Sequence, residues 1–241
     1  MGSVPAPPFR PRRGLLDRPG WSAVVGGVAG VVATVALGVA GWLPSAAPPS
    51  AAAPPPPDAA AAFVAAWQAH LQADWSVDEI DQRTTASGAS ISFQIHHAQA
   101  PPDSLETGGG TVAARIGAVE VACGPGANGT GYACRSAPAP RSWQAEVDAE
   151  IAGLRAAVMG PEAVFAVSAD GRGCWTLSLR VPAATVPVLL GRGATYCLDP
   201  TTLALRSSVV HQVGAVDRVN TVVTHAPATA ADLALPAGAT A

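Results

Sequence analysis

The chain has 241 residues, 49 % of them apolar and 13 % charged, with a formal net charge of −3 at neutral pH. That length suits one ordinary domain plus an accessory segment, and that apolar fraction suits a sizeable core. The near-balanced charge excludes the broad basic field that nucleic-acid binding requires, so no nucleic-acid partner is expected.

Residues 1–20 read as a cytoplasmic basic tail, with Arg10, Arg12, Arg13 and Arg18 opposed only by Asp17. The uncharged run from Trp21 to Leu43, WSAVVGGVAGVVATVALGVAGWL, follows. At about 1.5 Å rise per residue it covers about 34 Å, enough for a hydrocarbon core of about 30 Å. Short basic flanks stay inside, so residues 21–43 are expected to anchor the chain in the lipid bilayer as a single-pass helix. The N-terminus is then cytoplasmic and the C-terminal domain extracytoplasmic. Trp21 and Trp42 stand at the two interfacial ends. The competing reading is a cleaved signal peptide, with Ser45, Ala46 and Ala47 at the cleavage site. Both readings send the rest of the chain across the membrane. Gly26 and Gly30 form a GxxxG, the pattern of a helix-dimerisation face, although Gly is abundant throughout this run.

Residues 44–57, PSAAPPSAAAPPPP, favour polyproline II and act as a semi-rigid spacer. The extracytoplasmic domain occupies 58–241. Asp58 caps a helix whose Phe63, Val64, Trp67, His70 and Leu71 form one apolar stripe. A second helix starts at the N-cap Ser142. Trp143, Val147, Ile151, Leu154 and Val158 follow at helical spacing, and Gly160-Pro161 ends it. The remaining segments alternate as strands. Ala89, Ile91, Phe93 and Ile95 interleave with Ser90, Ser92, Gln94 and His96. Later runs are TVAARI, AVEVAC, AVFAV, CWTLSLR, ATYCLD, LALRSSVVH and RVNTVVTH. In CWTLSLR, Trp175, Leu177 and Leu179 face one way and Thr176, Ser178 and Arg180 the other, as in an antiparallel sheet wet on one side. The order helix, strands, helix, strands is α+β.

Four cysteines in an exported domain imply two disulfides. Three pairings exist. The sequential one, Cys123 with Cys134 and Cys174 with Cys197, needs the least rearrangement of the chain and is the expected one. The CxxC and CxxH spacings of a metal site are missing, so no metal is expected.

The C-terminal run ATYCLDPTTLALRSS, the strand ending RVNTVVTH and the closing ADLALPAG resemble exported actinobacterial proteins of the lipoprotein-carrier superfamily, such as the LppX/LprG-like lipoproteins and LolA. The resemblance covers about residues 58–238. It implies a strongly curved antiparallel sheet, a half-barrel, with helices packed on its concave face and an acyl-chain cavity between them. A peptide anchor in place of a lipid anchor departs from the lipoprotein pattern. Independently, an amphipathic helix laid over a half-apolar sheet leaves a dry cleft wherever packing is incomplete. The cleft-lining candidates are Phe63, Trp67, Phe93, Trp143, Val147, Ile151, Leu154 and Trp175. The expected partner is therefore a lipid or other apolar ligand. The alternative is an envelope protein partner met by the same fold without a cavity.

Catalytic signatures are missing. No GxSxG, Walker loop, HExxH or dinucleotide turn occurs, so the domain is expected to be non-enzymatic and free of cofactors. His96 and His97 are adjacent on a strand and point to opposite faces, which disfavours a shared metal site. Gly108-Gly109-Gly110 reads as a loop tip, and Asp78, Glu79 and Asp81 as one solvated acidic face.

Overall fold

The computed structural model describes residues 58–126, 129–180, 192–212 and 214–239. The segments expected as basic tail, anchor and spacer lie outside these residues.

Among the described residues, eleven antiparallel strands form one open, curved sheet. After helix α1 (Asp58–Gln72) come β1 (Trp75–Thr85), β2 (Ser90–Ala100), β3 (Asp103–Gly108), β4 (Thr111–Ile116), β5 (Val119–Pro125) and β6 (Tyr132–Pro138). Helix α2 (Trp143–Val158) separates them from β7 (Phe165–Ala169), β8 (Cys174–Leu179), β9 (Gly193–Leu198), β10 (Leu205–Gln212) and β11 (Ala215–His225). The spatial order is β6-β5-β4-β3-β2-β1-β11-β10-β9-β8-β7. Each half is a run of sequence neighbours, and the halves join where β1 pairs β11, Ser76 opposite His225. The first and last strands therefore meet at the centre, and β6 and β7 are the edges.

Register assigns every strand side chain to one of two faces, because directly opposed residues share a face. On the helix side of the β7–β11 half, Phe165, Val167, Leu177, Ala194, Tyr196, Leu198, Leu205 and Val219 form one core with both helices. The expected stripes of α1 and α2 supply the other wall. Ser142 caps α2 by accepting from the backbone N–H of Ala145 at 3.2 Å, and Gly160 follows the helix at φ 88°. On the opposite side of the β2–β6 half, Ala98, Leu105, Val112, Ala114, Val121 and Cys123 are covered by Leu233, Leu235 and Ala239 of the C-terminal segment. That segment is tied down where the Ala228 N–H donates to Asp74 Oδ1 at 2.6 Å.

Gly109 and Gly110 link β3 to β4 with φ of 57° and 77°. Positive φ at both central residues is what a two-residue hairpin turn of matching twist demands. The acidic trio departs from expectation. Asp78 is exposed, whereas Glu79 is buried at 5 % exposure and faces the helix side together with Asp81. Period-two alternation on β1 splits the trio between faces, so it is no single solvated surface.

Both disulfides pair as the sequential scheme expects, Cys123–Cys134 and Cys174–Cys197. In each, the two cysteines oppose one another directly on neighbouring antiparallel strands, with Cα–Cα 4.0 Å.

Candidate functional site

The helix side of the sheet holds three distinct zones. The first is the dry core under the helices. Phe63 and Leu154 are both 0 % exposed, and Trp67, Trp143, Val147 and Ile151 are buried beside them. Phe63 lies 5.8 Å from Trp175, 6.0 Å from Trp67 and 6.1 Å from Tyr196, ring centroid to centroid. The one polar atom of Trp67 is satisfied, its Nε1–H donating to Glu150 at 2.7 Å. Seven of the eight expected lining residues thus meet in one cluster, with Trp175 half-buried at its margin. Tyr196, on the strand ATYCLD, is a further member of this cluster that the apolar alternation alone does not single out.

The second zone clamps the helices to the β1–β5 half. Gln99 Nε2 donates to the carbonyls of His70 at 2.9 Å and Ala73 at 2.7 Å, closing the end of α1 against β2. The His70 ring stacks on Trp75 at 5.0 Å and its Nδ1 meets the Leu203 carbonyl at 2.8 Å. At the start of α2, buried Arg115 of β4 donates to Glu146 at 2.8 Å, to the Arg141 carbonyl at 2.7 Å and to the Gly117 carbonyl at 3.1 Å. Its guanidinium also lies 6.0 Å from the Trp143 ring centroid. Opposite it on β5, Glu120 is buried. Burial first, and the neighbouring Glu146 carboxylate second, push the Glu120 carboxyl above its ordinary range, against the opposing pull of Arg115.

The third zone is the far end of β2. Phe93, the eighth expected residue, stands here and not in the helix-packed core. Ile91, Phe93 and Ile95 share the helix side; Ile91 is 52 % exposed and the other two are half-buried. Each opposes a charged residue of β1: Ile91 faces Arg83, Phe93 faces Asp81 and Ile95 faces Glu79. Arg83 makes a two-pronged pair with Asp217 of β11, at 2.5 and 2.6 Å. Gln212 donates to the same carboxylate at 3.0 Å. The Asp217 hydrogen bonds hold the guanidinium more firmly charged, outweighing its partial burial, with Asp81 adding to the pull. An apolar row and a charged row therefore run side by side, one strand apart.

The two histidines occupy opposite faces. His96 meets Asp78 at 2.8 Å and the Asp232 carbonyl at 3.0 Å, while His97 lies edge-on to Trp75 at 5.0 Å. Among the described residues, no group of three or more His, Cys, Asp or Glu gathers as metal ligands do.

No protein-family model matches the chain, and no curated protein matches it. Among solved structures it is similar to LprF from Mycobacterium bovis, at 14 % identity and TM-score 0.38, covering 77 % of this chain and 100 % of that one. It is also similar to a LolA-superfamily protein from Nitrosomonas europaea, at 7 % identity and TM-score 0.31, covering 73 % and 98 %. A DUF1329-family protein from Desulfovibrio piger shares 8 % identity at TM-score 0.28, covering 76 % and 99 %. These likenesses concern the fold alone.

Proposed function

We propose that this chain is a membrane-anchored, extracytoplasmic, non-catalytic module that binds a lipid or other apolar ligand on the helix side of its curved sheet. The observation that carries this reading is the row Ile91, Phe93 and Ile95. It is apolar, it lies on the same face as the helix-packed core, and it stays outside that core. On this reading Phe93 and the half-buried Trp175 are the lining residues that meet the ligand. Phe63, Trp67, Trp143, Val147, Ile151 and Leu154 form the dry wall behind them. Burying a methylene gains about 0.8 kcal/mol, so a ten-carbon stretch supplies about 8 kcal/mol before association costs. Micromolar affinity follows once those costs are subtracted.

Native mass spectrometry of residues 58–241 purified from an envelope fraction is expected to show a co-purified apolar adduct. Ile91→Asp places a charge on the open row without disturbing the core. It is expected to lower acyl-probe affinity at least tenfold while leaving the thermal transition unchanged. Equal affinity in the variant would remove the row from the binding site.

The opposite face supplies a second reading. Ile80 and Val223 face that side and Val222 is 62 % exposed beside them, which suits an envelope protein partner. A protein that carries no adduct and binds no acyl probe favours this reading.

The anchor and its orientation rest on the four arginines before residue 21. Alkaline phosphatase fused after residue 241 is expected to be active. An inactive fusion, with an active cytoplasmic reporter at the same end, reverses the topology.

A further inference from the structure

Residues 226–239 form a strap over the outward face of the β2–β6 half, where Leu233, Leu235 and Ala239 pack on a cluster that includes Ala98, Leu105, Val112 and Val121. Hydrogen bonds inside the strap close short turns: the Asp232 N–H donates to the Thr229 carbonyl, Ala234 to Ala231 and Ala239 to Pro236. The strap adds no strand to the sheet, so its position depends on apolar packing and on ties to side chains. The Ala228 N–H on Asp74 is one such tie, and His96 is another. The His96 Nε2 meets the Asp232 carbonyl at 3.0 Å while its Nδ1 meets Asp78 Oδ1 of β1 at 2.8 Å. A carbonyl and a carboxylate only accept. Both bonds therefore form only when both ring nitrogens carry a proton, as in the imidazolium. Neutral imidazole keeps one N–H and turns a lone pair toward the other oxygen.

On this face β1 presents Ser76, Asp78 and Ile80, and β2 presents Gln94 and Ala98 on either side of His96. β3 presents Thr107 directly opposite His96, and β11 presents Val223 opposite Asp78 and His225 opposite Ser76. The strap brings the Asp232 carboxylate, which accepts from the Thr229 N–H and hydroxyl, both at 2.7 Å. Those bonds, the backbone one first, hold its carboxyl below its ordinary range, and the charge of His96 adds to the pull. Asp78 and Asp232 thus supply negative charge beside His96, and His225 is the other titrating imidazole presented on this face.

We propose that His96 is a proton-operated latch on the C-terminal strap: its imidazolium ties Asp232 of the strap to Asp78 of β1, and loss of the proton releases one tie and loosens the strap from the apolar face beneath it. Histidine changes charge between about pH 5 and about pH 8, so the strap is held at the acidic end of that range and loosened at the alkaline end. Loosening uncovers Ala98, Leu105, Val112 and Val121, which are buried with the strap in place.

Hydrogen exchange of the full chain, read by mass spectrometry across that pH range and corrected for the pH dependence of intrinsic exchange, tests the latch. Protection of the strap amides Ala228, Asp232, Ala234 and Ala239, measured against the amides of α2, is expected to fall about tenfold as the pH rises, the scale of one hydrogen bond to a charged group. His96→Gln takes up no proton, so its strap should stay at the weakly protected level at every pH. Asp78→Asn removes charge that favours the imidazolium, so its strap should loosen at a lower pH than in the wild type; this variant carries the test if His96→Gln does not fold. His225→Gln should keep the wild-type profile. A strap whose protection is independent of pH in the wild type, an unchanged profile in His96→Gln or in Asp78→Asn, or a flat profile in His225→Gln would each overturn the assignment.

Discussion

Leu154→Arg is expected to abolish the cooperative unfolding transition, leaving a chain without near-ultraviolet dichroism. Leu154 has no exposed surface and sits among Phe63, Val147, Ile151 and Val158 between the two helices and β7. The side chains packed there are apolar, and Glu150 at the margin already accepts from Trp67 Nε1–H at 2.7 Å. An unpaired buried charge costs several kcal/mol, and a domain holds only about 5–15 kcal/mol in total. Leu154→Ala keeps the fold and costs about 2–5 kcal/mol through lost transfer energy and a residual cavity. A Leu154→Arg variant with a wild-type melting curve would mean that the site between the helices opens to solvent.

Arg115→Ala is expected to be the second severe substitution, at about 3–5 kcal/mol, or roughly 10 °C in melting temperature. One guanidinium holds Glu146, the Arg141 carbonyl and the Gly117 carbonyl, so its loss strands three acceptors at the start of α2. The loss also leaves Glu120 and Glu146 facing each other. The Glu120 carboxyl is already raised by burial and by Glu146, with Arg115 pulling the other way. A carboxyl whose folded pKa is raised binds its proton more tightly folded than unfolded. It therefore costs stability at neutral pH, and that cost fades as the pH falls through its folded value. The defect of Arg115→Ala should accordingly shrink on acidification, and Glu120→Gln in the same background should recover part of it at neutral pH. A pH-independent defect would assign the loss to the two carbonyl hydrogen bonds and the packing on Trp143. Arg115→Lys should rescue only partly, because an ammonium lacks the planar fork that reaches three acceptors.

Much of the fold is legible in local sequence. The stripe of α2, its Ser142 cap and its Gly160 stop carry their own signals within one helix length. The alternation in CWTLSLR and in Ile91, Phe93 and Ile95 gives the faces of β8 and β2. The central strand β1 is not legible in the same way. Its run WSVDEIDQRTT places Glu79, Asp81 and Arg83 on the helix side, where local reasoning expects apolar residues. What makes Arg83 tolerable there is Asp217, which lies far along the chain and arrives only when β11 pairs β1. The short β3, DSLETG, is hidden for a related reason. Only Ser104 and Leu105 of its six residues are buried, and their packing comes from neighbouring strands and the C-terminal segment.

The candidate site divides along the same line. Aromatic and aliphatic helix positions were readable as apolar, but periodicity does not say whether an apolar residue faces a neighbour or a ligand. Phe63 and Leu154 face neighbours. Phe93 stands apart from them because both helices are clamped elsewhere, α1 by Gln99 and α2 by Arg115. The extent of the row outside the core is set by where those clamps hold the helices, which is a property of the assembled sheet.

The central claim is that the row on β2 takes an apolar ligand, and a paired titration tests it most directly. A fluorescent fatty acid is titrated into residues 58–241 and into the Ile91→Asp variant, with dichroism recorded on both. The account predicts saturable micromolar binding to the wild type, at least tenfold weaker binding to the variant, and identical folded spectra. A folded wild-type protein that binds no acyl probe and carries no co-purified lipid would contradict it.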